Sequence, residues 1–142
     1  MQTPVVERLR TIPGIGLLTA TALVGFIGDV SRFPSGRHFA AYLGLTPLEH
    51  SSGLRRRLGR ISKHGDAYLR TLLIHGARAV LVAAQRQASP KGLHQWGLQL
   101  QRRVGNNKAA VAIANKMARV VWAVWKSGKL FHSPGSPLQD AS

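Results

Sequence analysis

Apolar positions recur along most of this chain in steps of three and four, and they stop doing so over one stretch in its middle. Val5 to Arg10, entered through Pro4, reads as the end of a helix. Ile12-Pro13-Gly14-Ile15-Gly16 then turns the chain into Leu17 to Ile27, an Ala- and Leu-rich run that suits a buried helix after a glycine turn. Asp29 to Pro34 connects to a short helix capped by Ser35 and stopped near Leu43 by Gly44.

From Leu45 to Ser62 the period is lost, and Pro47, Gly53 and Gly59 punctuate the stretch. It reads as a loop. Asp66 opens a long helix whose Leu69, Leu72, Leu73, Gly76, Ala77, Val80, Leu81 and Ala84 form one stripe, broken by Ser89, Pro90 and Gly92. A helix from Leu93 to Val104 follows and stops at Gly105 and Asn106. The last helix, Lys108 to Lys126, is apolar at Ala110, Ile113, Ala114, Met117, Val120, Val121 and Val124, with Lys108, Lys116, Arg119 and Lys126 on the other side.

The pattern predicts an all-α fold, a compact bundle of five or six helices packed around the Leu69 and Ile113 stripes. Residues 1–128 form one domain with a helix-hairpin-helix-like element over 9–29 and an irregular basic loop over 45–65 that carries a serine. Residues 129–142, with serines, prolines and no sustained period, are expected to be a disordered tail.

Composition narrows the function. Twenty Lys and Arg against five Asp and Glu leave a net charge of +15 over 142 residues, which points to a polyanion as partner. The absence of cysteine excludes disulfides, thiolate nucleophiles and cysteine zinc sites, and suits a reducing cytoplasm. The longest apolar run, Ile15 to Gly28, is too short for a membrane span, and no signal peptide is read at the amino terminus, so a cytoplasmic protein without a membrane partner is expected. Glu7, Asp29, Glu49, Asp66 and Asp140 are scattered singly, whereas two-metal strand-transfer sites gather several carboxylates. No two of the six histidines have the three- or four-residue spacing of a helical metal site. No metal site and no cofactor are expected in this chain.

Three features remain as candidate chemistry. Gly14 and Gly16 between two helices could let backbone N–H groups approach a phosphate without reading sequence, or could simply be a tight interhelical turn. Arg55, Arg56, Arg57, Arg60, Lys63 and Arg70 place six cations within 16 residues, offset only by Glu49 and Asp66, and suit salt-dependent phosphate binding better than a bland solvated surface. Within that stretch Ser52 precedes a glycine and could expose its hydroxyl beside the arginines, although Ser-Ser-Gly by itself is an ordinary turn and His50 an ordinary loop histidine. Trp96, Trp122 and Trp125 read as core or interface in preference to base stacking.

The order of these pieces is more specific than any one of them. The glycine hairpin Ile12 to Gly16, Arg32-Phe33-Pro34-Ser35, Ala40 to Pro47, Ser51-Ser52-Gly53, Gly59-Arg60-Ile61-Ser62-Lys63-His64-Gly65 and Tyr68-Leu69-Arg70 together resemble the carboxy-terminal domain of the IS-one-ten family of insertion-sequence transposases. The similarity continues through Asn107-Lys108 and Ala112 to Trp125. It implies that Ser52, with Ser51 its nearest competitor, matches a serine that links covalently to a DNA phosphate. It also implies partners: DNA, a structured bridge RNA, a likeness of this chain in a homo-oligomer of the full-length protein, and an amino-terminal RuvC-like domain whose DEDD acids bind magnesium.

That nuclease-like domain is expected to be absent from this chain, which would make it an excised domain, a truncated product or a remnant. Two other readings stay open: a non-enzymatic helix-hairpin-helix DNA- or RNA-binding module, or inactive transposase remnant, in which Ser52 is a turn residue, and an oligomerisation domain, which explains the tryptophans but not the charge.

Overall fold

A computed structural model describes residues 4–45, 52–129 and 131 of the chain, with the backbone alone for 52–65. Among the described residues six α-helices follow in order: α1 Pro4–Leu9, α2 Leu17–Ile27, α3 Gly36–Tyr42, α4 Ser52–Arg86, α5 Leu93–Val104 and α6 Asn106–Ser127. A single 3-10 turn, Val30–Arg32, precedes α3, and no strand occurs among the described residues. The fold is all-α, as the periodicity predicts.

The three-and-four stripes meet in one core. Leu69, Leu73, Ala77, Val80 and Leu81 of α4 are buried with Ala110, Ile113, Ala114, Met117 and Val121 of α6. The remaining helices close around this pair, α5 on both and α3 along α6. Small residues set the spacing: a Cβ on Gly97 would meet Ile113 Cδ1 at 2.7 Å, so α5 approaches α6 closely there. The Asp66–Arg86 part of α4 has the length and apolarity to cross a bilayer, but its apolar stripe is turned into this core.

Local chemistry explains the short elements. Ser35 is the N-cap of α3 and its hydroxyl accepts from the His38 amide, while Asp29 accepts from the Ser31 amide to start the 3-10 turn. Arg32 lies over the Phe33 and Tyr42 rings at 4.9 and 5.5 Å and donates to the Ile27 carbonyl at 3.3 Å. The Trp122 indole N–H donates to the Phe33 carbonyl at 3.0 Å, tying α6 to that turn. Trp122 and Trp125 are half-buried against the core, and Trp96 is exposed.

Two expectations need correction. The segment after Ser52 is not an irregular loop: α4 begins at Ser52 and runs unbroken for 35 residues to Arg86. The physical reason is a period hidden by glycines. Leu54, Leu58 and Ile61 continue the Leu69 stripe backwards in steps of four and three, and the intervening arginines are good helix formers. Asp66 therefore does not open the helix but sits inside it, 5% exposed. Phe131, within the segment expected to be a tail, packs partly buried against the core, and its amide donates to Thr11 Oγ1 at 3.0 Å. Residues 130 and 132–142 lie outside the described residues, as do 46–51 of the expected loop.

Candidate nucleic-acid interface and serine segment

Ser52 is the first residue of α4, and Arg55, Arg56, Arg57, Arg60 and Lys63 follow it within the first four turns. A helix N-terminus carries unpaired amides and the positive end of the helix dipole, so its backbone adds to the charge of those five cations. No carboxylate occurs from Ser51 to Gly65 to offset them. Ser51 and His50 lie outside the described residues.

Arg70 differs from the other five. Its guanidinium is half-buried and Nη1 donates to the Leu43 carbonyl at 3.3 Å, closing the end of α3. The next residue, Gly44, has φ +74 and would carry a Cβ 2.7 Å from that same Nη1, so a side chain there would be strained and would displace the arginine. Asn115 of α6 donates to the Leu45 carbonyl at 3.2 Å beside it. Arg70 thus holds the chain where it leaves α3. Asp66, one turn earlier, is buried with Oδ1 lacking a hydrogen-bond partner among the described residues.

The two glycines of the hairpin part ways. Gly14, at φ +86, is pressed between α4 and α6: a Cβ there would meet Met117 Cε at 2.8 Å and the Gly76 carbonyl oxygen at 2.9 Å. Conversely, a Cβ on Gly76 would fall against the Gly14 carbonyl oxygen, well inside the 3.0 Å that real Cβ atoms respect. This glycine is there for packing. Gly16 has nothing within 4 Å, stands as the N-cap of α2 without a side-chain cap, and leaves the first turn of α2 facing solvent at the exposed Leu17 and Leu18. Its backbone can approach a phosphate.

The hairpin and the serine do not form one pocket. Gly76, where the hairpin crosses α4, lies 24 residues after Ser52, which is about 36 Å of helix. Among the described residues no group of three His, Asp or Glu side chains could hold a metal, and Glu7, Asp29 and Asp66 sit on separate elements.

A second group of cations lies on the outer face of α6. Lys108, Lys116, Arg119 and Lys126 are all exposed on α6, and Gly36 at the start of α3 abuts the Arg119 backbone, where a Cβ would lie 3.1 Å from Cα. The sequence shows the basic face of this helix. It does not show that α3 borders it with the exposed Arg37.

The sequence pattern of the transposase IS116/IS110/IS902 family matches residues 6–91. A probable family 20 transposase of Pseudomonas aeruginosa is 50% identical over 119 residues, covering 84% of this chain and 35% of that protein. The transposase for insertion sequence element IS1111A of Coxiella burnetii is 45% identical over 83% of the chain and 32% of its own length. A pilin gene-inverting protein of Moraxella lacunata is 34% identical over 87% of the chain and 37% of its own length. The chain spans about a third of each of these relatives.

Proposed function

Since the chain belongs to the IS116/IS110/IS902 family of transposases, we propose that it is the serine-bearing, DNA-binding domain of an insertion-sequence transposase, acting in strand cleavage and transfer with a separate RuvC-like DEDD domain. The observation that carries this reading is Ser52 at the start of α4, followed by Arg55, Arg56, Arg57, Arg60 and Lys63 with no acid among them. A serine that attacks phosphorus needs cations around the developing charge and a base or metal to take its proton. This segment supplies the cations. The partner domain supplies the magnesium that the DEDD acids hold.

In the proposed step the Ser52 oxygen bonds to a backbone phosphorus, one P–O bond to a sugar breaks, and the freed sugar hydroxyl carries the proton away. The covalent phosphodiester conserves the bond energy, and attack by a second sugar hydroxyl releases the serine and joins a new strand. Arg55, Arg56, Arg57, Arg60 and Lys63 hold the phosphates, the first turn of α2 at Gly16 adds a sequence-independent contact, and a structured bridge RNA chooses the DNA. Arg70 and Gly14 contribute by holding the frame, Arg70 through the Leu43 carbonyl and Gly14 through Gly76. Two copies of the full-length protein would hold the two ends that transposition joins.

The test is reconstitution with a family DEDD domain, magnesium and bridge RNA. A protein–DNA adduct that survives denaturation is expected with the native chain and with Ser51→Ala, and none with Ser52→Ala. Duplex affinity of Ser52→Ala should stay within about tenfold of native, because one exposed hydroxyl contributes roughly 1 kcal/mol. Cleavage without any adduct would sink the covalent route and leave a non-enzymatic nucleic-acid-binding module.

A further inference from the structure

We infer that the cationic stripe along α6 is a second duplex-DNA surface, separate from the serine segment, so that one chain holds two DNA segments. Lys108, Lys116, Arg119 and Lys126 follow one another in steps of eight, three and seven residues, which at about 100° per residue places them within roughly 80° of arc on one face of α6, and all four are exposed. Ala112 and Ala123 fill the steps between them and leave the row low and open. The opposite side of α6, at Ile113, Met117 and Val121, is the side buried in the core. Arg37 extends the row sideways, because Gly36 brings the start of α3 against the Arg119 backbone.

Charge identifies the ligand. From Ala67 to Gln139 the chain has no acidic residue and 11 Lys and Arg. A solvated helix face ordinarily intersperses acids at three- and four-residue steps to pair with its cations. Here none of the four stripe cations meets a carboxylate among the described residues, and Lys126 has only the Ser31 hydroxyl at 3.4 Å. The nearby Asp29 is engaged by the Ser31 amide at 2.9 Å. Eighteen residues of helix separate Lys108 from Lys126, about 27 Å, which matches roughly eight base pairs of duplex at 3.4 Å each. A straight row of this length fits the regular phosphate backbone of a duplex, where a peptide partner would need an apolar anchor that the row lacks.

The inference stands on α6 and not on Ser52, so it survives or fails independently of the covalent step. The experiment is titration of the full chain with a DNA duplex of about 12 base pairs, reading stoichiometry and the salt dependence of binding. The native chain is expected to bind two duplexes. Lys116→Ala/Arg119→Ala/Lys126→Ala is expected to bind one, with the log–log salt slope of the lost site gone and its melting temperature unchanged, because all three side chains are exposed. Arg55→Ala/Arg57→Ala should weaken the other site and leave this one. Restoring charge with Lys116→Arg/Lys126→Arg should keep both. Two duplexes still bound by the triple-alanine variant would overturn the proposal. So would a variant that keeps both duplexes and loses only a structured RNA hairpin, since the stripe would then be an RNA surface.

Discussion

Replacing Gly76 by alanine should destabilise this protein, although alanine is the better helix former. On propensity alone the change favours the folded state by about 1 kcal/mol, because glycine in a helix interior forgoes backbone entropy. The added Cβ, however, falls inside 3.0 Å of the Gly14 carbonyl oxygen and 3.1 Å from Met117 Cε. Met117 can yield, since its thioether is flexible. The Gly14 carbonyl belongs to a turn held at φ +86 and flanked by the buried Ile12 and Ile15, so the whole hairpin must retreat by roughly 1 Å to regain van der Waals contact. Overpacking of this kind costs about 1–3 kcal/mol and more where backbone must move. The net is a loss of up to about 2 kcal/mol, toward that upper end because backbone must move, or up to roughly 8 °C in melting temperature for a domain of this size. Gly25→Ala is the control: it lies in α2 with nothing within 4 Å and should raise the melting temperature by a few degrees. The assay is thermal unfolding followed by far-UV circular dichroism on both variants. If Gly76→Ala melts higher, as Gly25→Ala should, the hairpin does not press on α4 and the packing role given to Gly14 is wrong.

Three further outcomes follow from the same contacts. Trp122→Phe keeps an aromatic ring but shrinks it and leaves the Phe33 carbonyl without its donor, and loss of the donor alone should cost about 1–2 kcal/mol by chemical denaturation. Arg70→Ala should lower the melting temperature, since its guanidinium closes α3 at Leu43, whereas Arg55→Ala/Arg57→Ala should leave melting unchanged and weaken DNA binding; the opposite pattern would exchange their roles. Duplex affinity of the native chain should fall steeply with salt, with a log–log slope on the order of −5, measured by fluorescence anisotropy between low and physiological salt.

The sequence carries the helices where one face is buried throughout. Leu17–Ile27 and Leu93–Val104 have the limits that the glycines on either side predict, and α6 starts two residues earlier than Lys108 only because Asn106 and Asn107 join its first turn. The start of α4 was illegible for a local reason. Gly53, Gly59 and Gly65 weaken the helix signal, and the clustered arginines draw attention away from Leu54, Leu58 and Ile61. The serine and its cations can be named from residues and resemblance, but their helical setting cannot. The Gly14–Gly76 crossing was beyond reach, since no local pattern says which helix a glycine turn will meet. The same holds for Arg70, whose acceptor is a carbonyl 27 residues away. A count of cations treats it like its neighbours, and only tertiary contact shows that this arginine holds the fold.

The central claim is that a single hydroxyl, that of Ser52, carries the DNA strand. The most direct measurement is tandem mass spectrometry of the adduct formed on reconstitution with the DEDD domain, after digestion of protein and DNA. The account predicts a nucleotide phosphate attached to the peptide that begins α4, with fragment ions placing the added mass on Ser52. The added mass on Ser51, on another residue of the chain, or on the partner domain would contradict it.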